Sequence, residues 1–177
     1  YRTFDDKTLE WSIDIPAEWD YYQDADKINK VVFKDYSTNS QLISDVNVTI
    51  YSIEDGMTLD KLIKQRDHEL KEYYNTELVK VVKQEESEIN GVRCIKMLLN
   101  IEYGDKAVYI NDIYLFGTNY RYNIWYTAEE SEYADMEKRD KLEHVLQTFK
   151  FSEPDPLEVG ILIDPYSIAL IDTSRKL

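Results

Sequence analysis

Carboxylates are the most numerous groups in this chain that could do acid–base chemistry or bind a hard cation. They form clusters at Asp5-Asp6, at Glu85-Glu86 with Glu88, at Glu129-Glu130 with Glu132, and at Glu153 and Asp155. Paired carboxylates can act as general acid and base or bind Ca²⁺, but none of these clusters has the spacing of a calcium-binding loop. In a chain with 35 acidic residues, such clusters arise by chance. We therefore expect solvated surface charge and predict no metal ligand, while a carboxylate-based enzyme stays an alternative.

The other groups that could react are few and scattered. Cys94 lies inside an apolar run with no histidine near it in sequence, which predicts a buried, unreactive thiol. His68 and His144 belong to different predicted helices, and neither has a His or Cys at metal-ligand spacing. The chain contains no glycine-rich phosphate loop and no serine in a nucleophile-elbow context. The sequence thus predicts no catalytic residue and no cofactor, and we expect a protein that is not an enzyme.

One predicted strand carries the candidate binding residues. Beginning near Tyr120, it alternates aromatic and aliphatic residues with Arg121, Asn123 and Trp125. Alternate residues of a strand point to the same face of a sheet, so these three share one face. Aromatic residues at this spacing pack in a core or across strands more often than they bind a ligand. If that face is left uncovered, Trp125 with Arg121 and Asn123 would form a binding surface for an unknown protein or small ligand.

Turn residues and alternating apolar residues predict the strands that must position these groups. Asn90-Gly91 is a strong hairpin signal because both positions tolerate positive φ. The run from Val108 to Phe116 is nearly continuously apolar, as expected of a central strand that is covered on both sides. Alternation predicts further strands at Trp11 to Ile15, Val31 to Phe33, Val46 to Ile50, Leu78 to Glu88, Ile95 to Ile101 and Tyr120 to Tyr126.

Two segments have the period of amphipathic helices. The first runs from about Leu59 to Tyr74, with Thr58 as a plausible N-cap. Arg66 falls on its apolar stripe, where we expect the side chain to reach past the helix edge to water. The second runs from about Glu132 to Thr148, and its apolar side includes Met136.

Composition changes after Phe151. Residues 152–156 contain two prolines and indicate a stiff linker, which is followed by apolar runs at Leu157 to Ile163 and Ile168 to Ile171. We predict one domain over residues 1–151 and a linker with a C-terminal β-hairpin tail over residues 152–177. A lone hairpin is marginally stable, so the tail should dock on its own domain, pair with another copy to form a homo-oligomer, or begin a further domain.

Charge restricts the partners. The formal net charge of −14 disfavours nucleic acid and anionic membrane surfaces. No segment approaches the about 20 apolar residues that span a membrane, so we expect no direct membrane insertion. The chain opens at Tyr1 without an initiator Met, which is compatible with a secretion signal that has been removed.

The order of the elements and several short motifs resemble one known family. The motifs are Ile15-Pro16-x-x-Trp19, Thr58-Leu59-Asp60-Lys61-Leu62, Ile89-Asn90-Gly91-Val92, Tyr122-x-Ile124-x-Tyr126-x-Ala128 and Thr148-Phe149-Lys150-Phe151. In this order the chain resembles the PsbP-like superfamily, which includes the photosystem II PsbP protein and a yeast Ran-binding nuclear import factor. More narrowly, it resembles PsbP-related lipoproteins of Gram-positive bacteria, and the likeness covers Tyr1 to Phe151.

The resemblance implies an α+β fold, specifically an α/β/α sandwich with a central, mostly antiparallel sheet. It also implies a non-enzymatic role as a secreted or membrane-anchored module. The first hypothesis is therefore an extracytoplasmic binding or accessory domain of a bacterial protein. The alternatives are a structural or assembly module that oligomerises through its tail, and a carboxylate-based enzyme.

Overall fold

The computed structural model describes residues 1–24, 27–36, 45–53, 56–73, 79–103 and 106–152. Within these ranges the chain forms ten strands and three helices: β1 (Arg2–Asp6), β2 (Trp11–Ile15), β3 (Asp20–Asp24), β4 (Lys27–Lys34), β5 (Asp45–Ser52), α1 (Leu59–Tyr73), β6 (Val79–Ile89), β7 (Val92–Tyr103), β8 (Lys106–Phe116), β9 (Tyr120–Glu129), α2 (Glu130–Tyr133), α3 (Met136–Gln147) and β10 (Lys150–Phe151). The predicted hairpin tail lies outside the described residues. None of the helices in the described ranges is long and apolar enough to cross a membrane.

The strands form a large and a small antiparallel sheet. The large sheet has seven strands in the order β3-β4-β5-β9-β8-β7-β6, and the small sheet has the order β1-β2-β10. The predicted α+β class with a central antiparallel sheet is confirmed. The prediction of a central strand from Val108 to Phe116 also holds, because β8 pairs with β9 on one side and β7 on the other and buries residues on both faces.

The small sheet and α3 cover one face of the large sheet, which we call the sealed face. Its core is almost entirely apolar, as the period of two in the strands predicts. Phe149 lies at its centre, with its ring 5.7 Å from Trp11 and 5.6 Å from Tyr122, centroid to centroid. Phe151 stacks on Tyr122 at 4.1 Å. The segment after α3 therefore closes the core with two phenylalanines.

Helix α1 lies on the opposite face, which we call the helix face. Its first turn places Leu59 and Ile63 in one cluster with Ile95 and Met97 of β7. Thr58 is the predicted N-cap, and its hydroxyl accepts a hydrogen bond from the backbone N–H of Lys61 at 3.3 Å. The sequence period thus predicted α1 and its packing side correctly.

The second predicted helix, from Glu132 to Thr148, is wrong as a single element. Two helices, α2 and α3, occupy this segment because Asp135 caps a new helix between them. Its carboxylate accepts hydrogen bonds from the backbone N–H groups of Glu137 and Lys138 at 2.9 and 3.4 Å. Met136, counted on the apolar side, is 69% exposed, since it stands at the first position of α3 and points to water.

Candidate binding surface on the helix face

A buried carboxylate stands at the centre of the helix face. Asp112 of β8 is 1% exposed and accepts hydrogen bonds on both oxygens. Its Oδ2 lies 3.2 Å from Nε and 3.2 Å from Nη2 of Arg66 and 3.0 Å from the Tyr114 hydroxyl. Its Oδ1 lies 2.7 Å from Nδ2 of Asn123. The side chain thus has the partners that a buried charge requires.

Strand pairing and helix packing bring these groups together. In the β8–β9 pair, Tyr114 lies opposite Asn123 and Asp112 lies opposite Trp125. Opposite residues of an antiparallel pair point to the same face, so all four meet on the helix face. Arg66 comes from α1, on the same side of the helix as Ile63. Because the helix lies over the sheet at this point, the guanidinium is covered.

Arg66 therefore corrects one expectation. The side chain was expected to reach water past the helix edge, but it is 7% exposed and forms an ion pair with Asp112. Sequence reasoning missed this pair. The available signal was a pair of misplaced charges of opposite sign, one on the apolar stripe of α1 and one inside the apolar run of β8.

A second polar contact lies at one end of the network. The guanidinium of Arg121 stands over the Tyr51 ring, with its Cζ 4.6 Å from the ring centroid. Burial raises the pKa of Tyr51 above its ordinary value of 10.0, and the charge of Arg121 partly opposes this. Burial also raises the pKa of Tyr114 well above 10.0, and neighbouring Asp112 adds to the shift. Both tyrosines are neutral hydroxyls at physiological pH.

The structure places the three predicted binding residues on this one face, at alternate positions of β9. Asn123 is 5% exposed and belongs to the buried network, so it is not part of an open surface. Arg121 and Trp125 are half-buried and flank Asn123 on either side. The indole Nε1 of Trp125 is enclosed and has no acceptor within the described part of the chain. Ligand binding by these residues stays a prediction.

Other acidic and thiol groups of the described residues are hydrogen-bonded, ion-paired or buried. Asp6 accepts hydrogen bonds from two backbone N–H groups in the β1–β2 turn, and Glu132 pairs with Lys138 at 2.8 Å. Cys94 is fully buried as predicted, and burial raises the pKa of its thiol. His68 is exposed. Over the described ranges, no three His, Cys, Asp or Glu side chains converge in a way that could hold a metal ion.

A second concavity lies at the end of the small sheet. It is an open groove of about 460 Å³ whose lining includes Asp5, Asp6 and Glu10 together with Lys7 and Lys150. Its lining thus carries both acidic and basic side chains. The Asp112 carboxylate of the helix face already has a hydrogen-bond partner on each oxygen, whereas the acidic side chains of this groove line an open concavity.

Solved structures identify the fold. No protein-family model matches the chain, and no curated protein sequence matches it. The chain is similar to cyanobacterial PsbP (CyanoP) from Synechocystis sp. PCC 6803, with a TM-score of 0.66 and 14% identity over 85% of this chain and 92% of that one. It is similar to LpqN of Mycobacterium tuberculosis, a protein involved in cell envelope biogenesis, with a TM-score of 0.64 and 10% identity over 81% and 83% of the two chains.

The Ran-binding protein Mog1p of Saccharomyces cerevisiae is also similar, with a TM-score of 0.53 and 10% identity over 86% of this chain and 95% of that one. The expected PsbP-like fold is therefore confirmed at the level of structure, and the narrower likeness to lipoproteins stays a prediction. Structural similarity at identities this low shows the fold alone, so the function has to be argued from the surface of this chain.

Proposed function

We propose that this PsbP-like chain is a non-enzymatic binding or accessory domain that works outside the cytoplasm, as part of a secreted or membrane-anchored bacterial protein. The fold supports a binding role, since Mog1p is a Ran-binding protein by name and LpqN is involved in cell envelope biogenesis. The partner binds the helix face beside β9, at Trp125 and Arg121.

One observation carries the choice of this surface. Trp125 presents part of its indole ring on the helix face, beside a buried polar network that holds Asp112 and Asn123 in place. The indole N–H of Trp125 is enclosed and out of reach from the surface, so a partner would pack on the exposed part of the indole ring. Trp and Arg are also the residue types that contribute most to binding at protein interfaces. Because Asn123 and Asp112 are held by hydrogen bonds, the surface between the two side chains is ordered before a partner arrives.

The binding test compares three immobilised proteins exposed to an envelope extract of the source organism. They are the wild type, the double variant Arg121→Ala/Trp125→Ala and the control Val82→Ala/Lys83→Ala on edge strand β6. The control also removes one cation and one large apolar side chain, from residues that are exposed. We expect the wild type and the control to retain a partner that the double variant Arg121→Ala/Trp125→Ala does not retain. Equal retention by all three would place the binding surface elsewhere, and no selective retention by any would contradict a binding role.

The extracytoplasmic location has a separate test. A protease added to intact cells should degrade the tagged full-length gene product while a cytoplasmic marker survives. Protection of both proteins until the cells are lysed would contradict the proposed location.

A second candidate function is assembly through the C-terminal tail, and the sheet edges favour one place for it. Edge strand β6 is rich in Lys and Glu and has a bulge between Val81 and Lys83, which are features that discourage strand addition. Edge strand β3 is short and exposes Tyr21 and Tyr22. A strand from another copy would therefore add at β3. The molecular mass in solution of residues 1–152 and of residues 1–177 decides this, and a monomer in both cases would exclude assembly by the tail.

A further inference from the structure

The turn between β6 and β7 contains the one Asn-Gly pair of the chain. Asn90 has φ 49° and Gly91 has φ 82°, the left-handed backbone of a tight hairpin. The Asn90 side chain leaves the turn and donates from Nδ2 to the backbone oxygens of Gln147 at 2.8 Å and Phe149 at 2.6 Å. A single amide group thus ties the hairpin to the end of α3.

This contact holds the segment that joins the end of α3 to the core of the sealed face. The last carbonyl groups of a helix lack partners within the helix, and Asn90 supplies one to Gln147. The next carbonyl that it binds belongs to Phe149, whose ring fills the centre of the sealed face. We call this pair of hydrogen bonds the Asn90 latch. Both hydrogens of the amide are used, one for each carbonyl.

We propose that Asn90 is a site of spontaneous deamidation that the latch restrains, and that its conversion to aspartate or isoaspartate releases the hairpin from α3. The Gly91 nitrogen attacks Cγ of Asn90 and forms a cyclic imide. The amide nitrogen leaves as ammonia together with the proton of the Gly91 N–H. Water then opens the imide at either carbonyl, which yields aspartate or isoaspartate.

The surroundings suit both steps. Asn90 and Gly91 are exposed, so water reaches the site. A Cβ placed on Gly91 would have no neighbour within 4 Å, so nothing crowds the attacking nitrogen. The latch restrains the reaction, because it holds the amide toward α3 in the folded state. Deamidation therefore requires the latch to open first, and it proceeds faster in the unfolded chain.

The product cannot remake the latch. An ionised carboxylate has no hydrogen to donate, and it would face two carbonyl oxygens at the negative end of the α3 dipole. The hairpin and the segment with Phe149 then lose their connection. The modification is irreversible, so a molecule that has lost the Asn90 latch does not regain it, and the packing of the sealed face stays loosened.

The first experiment incubates the protein at mildly alkaline pH, folded and in urea, and quantifies deamidation by peptide mass spectrometry. Asn47 and Asn100 are internal controls, because the β-branched Val48 and Ile101 follow them. We expect Asn90 to convert several-fold more slowly in the folded protein than in urea, with little change at the controls. Equal rates for Asn90 in both conditions would overturn the restraint by the latch.

The second experiment compares Asn90→Asp with Asn90→Gly. Glycine accepts the positive φ and removes the latch without adding charge, whereas aspartate keeps the turn and places a carboxylate against the two carbonyls. We expect the melting temperature to fall for both and further for Asn90→Asp, with faster amide exchange in the last turn of α3. Wild-type stability and exchange in Asn90→Asp would overturn the proposed release.

Discussion

The two faces of the seven-stranded sheet are built by different means. The sealed face is packed with apolar side chains such as Ile13, Ile124 and Phe149, and the small sheet and α3 cover it. The helix face has fewer apolar contacts and an ion pair between Arg66 and Asp112 at its centre. Apolar packing tolerates many combinations of side chains of similar volume, whereas a buried charge requires its own partner in one place.

The sealed face therefore contributes mainly to the stability of the fold, whereas the ion pair of the helix face mainly fixes the position of α1. Removal of apolar surface from water stabilises the sealed face wherever the volumes fit. The ion pair must offset the desolvation of two charges, so its net contribution to folding is small, but it requires α1 to lie where Arg66 reaches Asp112. The surface beside Trp125 depends on that placement. Four substitutions test this contrast, and we expect their effects to decrease from Asp112→Asn to Arg121→Ala.

The largest effect is expected for Asp112→Asn. The change is nearly isosteric, but it removes the negative charge that offsets the burial of the Arg66 guanidinium, which costs about 3–5 kcal/mol. Urea unfolding measures the free energy. The double variant Arg66→Met/Asp112→Asn removes both charges and keeps an acceptor for the Asn123 amide, and it should recover most of the loss. A double variant as unstable as the single one would contradict the assignment of the effect to the buried charge of Arg66.

Tyr114→Phe should have the next largest effect. It removes a hydrogen bond to the charged Asp112, a contact that contributes about 1.5–3 kcal/mol. The variant also tests pH dependence. Because burial raises the folded-state pKa of Tyr114 above 10.0, its contribution is fully present below pH 10.0 and is lost as pH rises through the folded value. Unfolding followed from neutral to alkaline pH should therefore show a shallower loss of stability in the variant than in the wild type.

Phe149→Leu tests the sealed face. This face should accept a smaller apolar side chain at a cost of about 1.5 kcal/mol, because neighbouring groups repack around it. The same urea unfolding series measures it. A loss larger than that of Asp112→Asn would reverse the contrast between the two faces.

The smallest effect is expected for Arg121→Ala. The contact of its guanidinium with the Tyr51 ring is half-exposed, and such contacts contribute about 0.5–1 kcal/mol. Unfolding should therefore show a nearly wild-type domain. Combined with the loss of a binding partner, this result would mark Arg121 as a binding residue, whereas a large loss of stability would place it in the structural network with Asn123.

Local signals predicted most of the fold. Alternation predicted β2, β4, β5, β7 and β9, a continuous apolar run predicted β8, and the segment before the Asn90-Gly91 pair was predicted as β6, with the pair itself as the β6–β7 turn. Strands β1 and β3 were not predicted, since Arg2–Asp6 and Asp20–Asp24 are short and largely polar. Such segments become strands because β2 and β4 offer them hydrogen bonds, and strand propensity depends strongly on this context.

The candidate surface was predicted only in part. The alternation in β9 placed Arg121, Asn123 and Trp125 on one face, as the structure has them. It could not separate the buried Asn123 from its half-buried neighbours, because exposure depends on what packs over the strand. The sequence by itself determined periods, turns and caps, which arise between residues close along the chain. Only the tertiary structure decided that Arg66 and Asp112, 46 positions apart, form an ion pair, since the partner of a buried charge depends on which elements meet.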